Sequence, residues 1–132
     1  MEQNIHFWQA VDKLISSGKI VIDRPKGSTH PRYPHITYEL DYGYIDNTES
    51  MDGGGIDVWR GSLPDEKCDA IICTVDLWKR DSEIKLLISC TDEEKQIAYE
   101  FHYAYRWVMR LHKQALAAMQ EGAVKCLNTD RD

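Results

Sequence analysis

The segment MDGGGIDVW, residues 51–59, sets Asp52 and Asp57 five positions apart around Gly53, Gly54 and Gly55, then enters an apolar run. On a straight strand these two carboxylates, of opposite parity, would point to opposite faces. Three glycines, which adopt positive φ freely, remove that restriction and let both acids converge on one ligand. A hard cation such as Mg2+ uses that kind of donor set, completing its shell with waters and substrate phosphates. A glycine-rich turn carrying two solvated aspartates would use the same residues. In RDSEIKLL, residues 80–87, Asp81, Glu83 and Lys85 share one strand face while Ser82, Ile84 and Leu86 share the other. Carboxylates to hold a cation beside a lysine to neutralise phosphate oxygens are what metal-assisted phosphoryl chemistry needs. Cross-strand ion pairing on a wet sheet face needs the same mixture. Tyr105 and Arg106 add a hydroxyl donor and a planar fork suited to phosphate, or else pack and snorkel beside a buried stripe.

The elements that must position these groups can be read from periodicity. Phe7, Val11, Leu14 and Ile15 recur at helical spacing before Gly18, so residues 1–18 form a short amphipathic helix. Strands are expected at KIVID (19–23), TYELDYGYI (37–45), IDVWRG (56–61), CDAIICTVDL (68–77) and SEIKLLISC (82–90). Between the first two, RPKGSTHPRYPH is a basic loop whose prolines forbid regular pairing. Five short strands suggest a small barrel or sandwich over residues 19–90. Thr91 and Glu94 form a capping box, and Ile97, Phe101, Ala104, Val108, Leu111, Ala115 and Ala118 lay an apolar stripe along a long helix over 91–122. The tail 123–132 is short and polar, so the chain reads as one domain, 1–132.

Composition narrows the partners. A formal net charge of -6 disfavours nucleic acid, whose binding rests on surplus Lys and Arg. No apolar run approaches a membrane span, and the first residues lack the basic-then-apolar pattern of a secretory signal, so a cytoplasmic, membrane-free protein is expected. The four cysteines, Cys68, Cys73, Cys90 and Cys126, have neither disulfide nor zinc spacing and read as reduced thiols. His30 and His35 have no third ligand at metal spacing and read as surface residues, while His102 and His112, ten positions apart on the expected final helix, face different directions, partner no Ser or Cys nucleophile and read as chemically idle. Trp59 and Trp78 are core residues or stacking surfaces. The two helices offer faces for a homo-oligomer.

Taken in order over residues 19–106, these segments resemble the soluble inorganic pyrophosphatases. DYGYIDNTESMDGGGIDVW is similar to the family's N-Y-G-Y-I-x-x-T-x-S-x-D-G-D-P-x-D-V core through Tyr42, Gly43, Tyr44, Ile45, Thr48, Ser50, Asp52, Gly53, Asp57 and Val58. IVIDRPKGS resembles the opening strand, with Asp23 in its acid's place. SEIKL resembles the D-x-K motif, with Glu83 and Lys85. EFHYAYRW resembles the F-x-x-x-Y-K helix, with Phe101, Tyr105 and Arg106. The resemblance implies a mainly β fold, a five-stranded closed barrel of the oligonucleotide/oligosaccharide-binding type with a short N-terminal and a long C-terminal helix. It also implies Mg2+-dependent hydrolysis of diphosphate, with Mn2+ or Zn2+ as alternative ions. Asp52, Asp57, Asp81 and Glu83 would hold metal. Lys26, Arg32, Lys85, Tyr105 and Arg106 would bind substrate, and Asp57, Tyr42 and Lys85 would be catalytic. The chain departs from the pattern at Gly54, where the family carries the aspartate that receives the water's proton. A stretch of about fifteen residues with its phosphate-binding arginine is also missing, leaving Arg24 or Arg32 as stand-ins. The alternatives are a hydrolase for another phosphoanhydride or phosphoester, or an inactive phosphate- or metal-binding module.

Overall fold

The computed structural model describes residues 2–50, 53–76, 80–103 and 107–112. Their order is α1 (Glu2–Ser17), β1 (Ile20–Arg24), β2 (Asp41–Ile45), β3 (Ile56–Arg60), β4 (Cys68–Asp76), β5 (Asp81–Ile88), α2 (Asp92–Tyr103) and β6 (Trp107–His112). The strands form a mixed sheet in the order β1-β2-β3-β5-β4-β6. All neighbours are antiparallel except β3 and β5, which run parallel.

This sheet corrects the expected barrel. Its ladder is open, with β1 and β6 as unjoined edges, because β5 inserts between β3 and β4. Alternating polarity locates strands and their faces but carries no information about which strands become neighbours.

Strand alternation divides the apolar core in two. On one face Ile45, Val58, Ile71, Leu86 and Ile88 pack with Trp8, Val11 and Ile15 of α1. On the other, Trp59, Ala70, Ile72 and Leu87 pack with Ala98 and Tyr99 of α2, together with Tyr38 and Leu40 from the loop before β2. The result is helix, sheet, helix, a layered solution to covering both faces of a sheet. Burial is complete at the centre, where Val58, Trp59, Leu86, Leu87 and Ile88 are 0% exposed.

The long final helix is also corrected. Helix α2 stops at Tyr103, and Trp107–His112 instead pairs antiparallel along β4 from Ala70↔His112 to Val75↔Trp107. WVMRLH fits a helical or an extended period, and the free edge of β4 offers a full set of backbone partners that decides between them. The buried face of α2 is Lys95, Ala98, Tyr99 and His102, beside the anticipated Ile97 and Phe101, which are partly buried. Lys95 tolerates burial because its ammonium meets Asp69 at 2.9 Å.

The capping box forms as its residues dictate. Glu94 N–H donates to Thr91 Oγ1 at 3.2 Å and Thr91 N–H donates to Glu94 Oε1 at 2.9 Å. The same carboxylate accepts the Ser62 amide at 3.1 Å, tying α2 to the turn after β3. Partial burial would raise the Glu94 carboxyl, but the Thr91 and Ser62 amides outweigh it and hold the group below its ordinary value. A depressed carboxylate contributes stability that is present above its unfolded value and lost as pH falls through the folded one. Glu94→Gln is therefore expected to destabilise the protein by about 1 kcal/mol at neutral pH. The difference should shrink below pH ~4, and chemical denaturation at pH 7 and pH 3.5 reads it out. An equal difference at both pH values would refute the charge-dependent cap.

Among the described residues no helix is long and apolar enough to cross a membrane. Cys68 and Cys90 are free thiols, and burial pushes both up to about 12.

Candidate active site

The parallel register of β3 and β5 sets Asp57 directly opposite Lys85. Directly paired residues share a sheet face, and two-residue steps along β5 keep Glu83 on that face too. The antiparallel register of β2 and β3 adds Tyr42 opposite Trp59 and Tyr44 opposite Asp57. All of these lie on the α2 side. The ionic face anticipated for β5 is therefore real, but largely buried: the Lys85 and Glu83 side chains are each 10% exposed.

At its centre Lys85 Nζ donates to Asp57 Oδ2 at 2.5 Å and to Glu83 Oε1 at 2.7 Å. Burial would lower the ammonium's pKa, but the two carboxylates together outweigh that loss and raise it. The lysine stays charged. Burial, reinforced by the nearby Asp57 carboxylate, pushes the Tyr42 phenol well above its ordinary value. Tyr42 is thus protonated and no base at neutral pH.

An aromatic wall backs the triad. The Tyr42 and Trp59 ring centroids stand 4.6 Å apart, edge to face. Trp59 Nε1–H donates to His102 Nε2 at 2.9 Å, so that ring nitrogen carries no proton. Trp59 is fully buried core. His102, read as idle in the sequence, is the hydrogen-bond partner that lets an indole sit there. Its signal was spacing: with Ala98 and Tyr99 it shares one turn-to-turn face of α2.

The other anticipated residues fall elsewhere. Asp52, Tyr105 and Arg106 lie outside the described residues, as does Trp78. Asp81 begins β5 opposite Asp76. Lys26 and Arg32 are exposed in the loop after β1, where the Lys26 amide donates to Asp41 Oδ1 at 2.9 Å and the Arg32 amide to His30 Nδ1 at 3.0 Å. The glycine segment closes the β2–β3 hairpin. Gly53 adopts φ 84°, the Ser50 amide donates to the Gly54 carbonyl at 2.8 Å, and the Ile56 amide donates to Thr48 Oγ1 at 2.9 Å.

A metal can be tested against these donors. Among the described residues no group of three His, Cys, Asp or Glu side chains forms a cage. Two carboxylate oxygens nonetheless converge on one point, 2.5 and 2.7 Å from the Lys85 nitrogen. That point is taken by the lysine ammonium, so the two acids are paired with Lys85, and the donor set is short of the four protein ligands of a structural Zn2+ site.

Compared with protein-family models and with curated proteins, the chain matches none.

Proposed function

We propose that the chain hydrolyses inorganic diphosphate with Mg2+, using the face built on Asp57, Glu83, Lys85 and Tyr42. The observation that supports this reading most is the ammonium of Lys85 held between carboxylates from two strands. Asp57 and Glu83 would hold the cation, which supplies charge neutralisation and acidifies a bound water. Lys85, released from the carboxylates, would turn to phosphate oxygens and absorb the charge that develops on the leaving group. Tyr42, protonated beside Asp57, would offer its hydroxyl to that carboxylate as a donor. Gly54 offers no carboxylate to take the water's proton, so turnover is expected to be lower by about 10² to 10⁴ than general-base catalysis would give. The free thiols Cys68 and Cys90 fit a reducing compartment, and the proposal places the activity in the cytoplasm.

Phosphate release from diphosphate under Mg2+ tests the reading directly. Wild type is expected to turn over, and Asp57→Asn, which keeps shape and loses one charge, to fall by about 10²-fold or more. Absence of release by wild type under Mg2+ or Mn2+ would sink it. Stabilisation by diphosphate and metal without turnover would favour a binding module instead.

A further inference from the structure

Residues 19–38 hold Lys19, Arg24, Lys26 and Arg32 against a single acid, Asp23, in a chain whose formal net charge is -6. Most of this stretch is the connection from the end of β1 at Arg24 to the start of β2 at Asp41. Connections of that length in a compact domain commonly carry function. The site built on Asp57, Glu83, Lys85 and Tyr42 uses none of its exposed residues.

The segment folds as a small hairpin of its own. At its base the Ser28 amide donates to the Pro25 carbonyl at 2.9 Å, with Gly27 at φ 89° completing the turn. The Gly27 amide then donates to the Tyr38 carbonyl at 2.7 Å, the Tyr38 amide to the Ser28 carbonyl at 2.9 Å and the His30 amide to the Ile36 carbonyl at 2.9 Å, around the bridge Thr29↔Thr37. At the tip the Ile36 amide donates to the Tyr33 carbonyl at 2.9 Å, across a turn whose second position Pro34 pre-sets. Side chains back the same hairpin. Tyr38 is buried in the core on the α2 side, the His30 ring stacks over it at an interplanar angle of 14°, and the Tyr33 ring stands 5.1 Å from His30. Pro31, Arg32, Tyr33, Pro34 and His35 project from this fixed base and all are exposed. Tyr33, at 47%, is the most exposed large apolar side chain among the described residues.

We infer that this tip, Arg32 and Tyr33 with Lys26 at the hairpin's base, docks an acidic peptide segment of a partner protein. Tyrosine and arginine are the side chains that most often anchor protein interfaces. Here they stand on a backbone already ordered by two prolines and a ladder of hydrogen bonds, so little conformational freedom is left to lose on binding. The guanidinium fork pairs with a carboxylate, and the exposed ring covers an apolar neighbour of that carboxylate. A nucleic acid fits less well, because its phosphates need a broad surplus of positive charge and this chain offers one basic hairpin on an acidic body. A free small anion would leave Tyr33 without a role. The docking tip stands whether or not the chain is a hydrolase.

Fluorescence anisotropy of the full chain tests this with three probes: a labelled peptide of glutamates flanking a central leucine, its glutamine counterpart, and oligothymidylate. Wild type is expected to bind the glutamate peptide at least about tenfold tighter than either control, with affinity falling as salt rises. Arg32→Glu should weaken that binding by about tenfold or more and Tyr33→Ser by about tenfold, while Arg32→Lys loses less than Arg32→Glu. Lys13→Glu makes the same charge change at an exposed position of α1 and should stay within about twofold of wild type. Melting curves of all four variants should match wild type, since each exchanged side chain is exposed. Equal binding of the glutamine peptide, equal loss in Lys13→Glu, or no peptide binding by wild type overturns the docking tip. Oligothymidylate bound as tightly as the glutamate peptide overturns the class of partner. Self-association of wild type that Arg32→Glu abolishes, measured by sedimentation, overturns it too, by giving the tip to a second copy of this chain.

Discussion

Lys85→Met is expected to lower diphosphate turnover by about 10² to 10³ and, in the same protein, to tighten Mg2+ binding by tenfold or more. The two effects come from one geometry. The Lys85 ammonium stands 2.5 Å from Asp57 and 2.7 Å from Glu83, at the point where a cation bridging those acids would sit. A unit charge about 4 Å from another is worth roughly 4 kcal/mol at an effective dielectric of 20. Tenfold in affinity needs only about 1.4 kcal/mol, so even a heavily screened competitor suffices. Methionine preserves the length of the side chain and removes its charge, leaving two largely buried carboxylates face to face. Such a broken pair costs about 3 to 5 kcal/mol, and Mg2+ should restore much of the lost melting temperature. In wild type the folded-state pKa of Lys85 is raised. Its stabilisation is therefore complete below the unfolded lysine value of about 10.4 and is lost only as pH rises through the folded value. Titration calorimetry with Mg2+, melting curves with and without the ion, and phosphate release measure all three effects. Equal Mg2+ affinity in variant and wild type would show that Asp57 and Glu83 serve only to pair the lysine.

The ionic face was legible in the sequence because parity along a strand is a local property. Asp81, Glu83 and Lys85 alternate with Ser82, Ile84 and Leu86, and any extended backbone puts them on one side. The five expected strands and the Thr91–Glu94 cap were legible for the same reason, each being written within a few residues. What the sequence did not hold is the partner of each strand. Asp57 meets Lys85 because β5 runs parallel beside β3, and nothing within either segment specifies that. The β1 bulge that puts Arg24, in place of Asp23, opposite Tyr42 is a registry choice of the same long-range kind. The final segment misled differently. Its apolar spacing continued past Tyr103, but Trp107–His112 found backbone partners on β4, and tertiary context overrides periodicity in a short ambiguous run. Buried Lys95 and His102 were invisible to a hydropathy reading, since they are admitted to the core by specific polar partners, Asp69 and Asp92 for the lysine and Trp59 for the histidine.

Gly43→Ala is expected to be among the most destabilising single substitutions, at about 3 kcal/mol or more. Gly43 sits in the middle of β2, where strand residues ordinarily gain from a side chain and glycine alone weakens the strand. Its absence of Cβ is nevertheless required, because β1 crosses it closely. A methyl there would overlap the Val21 carbonyl oxygen and approach Ile22 Cα and the Val21 carbonyl carbon to 2.8 Å. These are backbone atoms, so no rotamer change relieves the clash. Either β1 lifts from β2 or the sheet distorts around the bulge that follows Ile22. Edge strand β1 has β2 as its neighbour, so lifting is the cheaper response, and it carries Arg24 away from Tyr42 and Tyr38. The variant should melt roughly 10 °C or more below wild type. Amide exchange should accelerate in β1 and β2 before it does in β4 and β5. A Gly43→Ala protein with wild-type melting and wild-type exchange in β1 would show that the two strands do not approach as closely as this geometry requires.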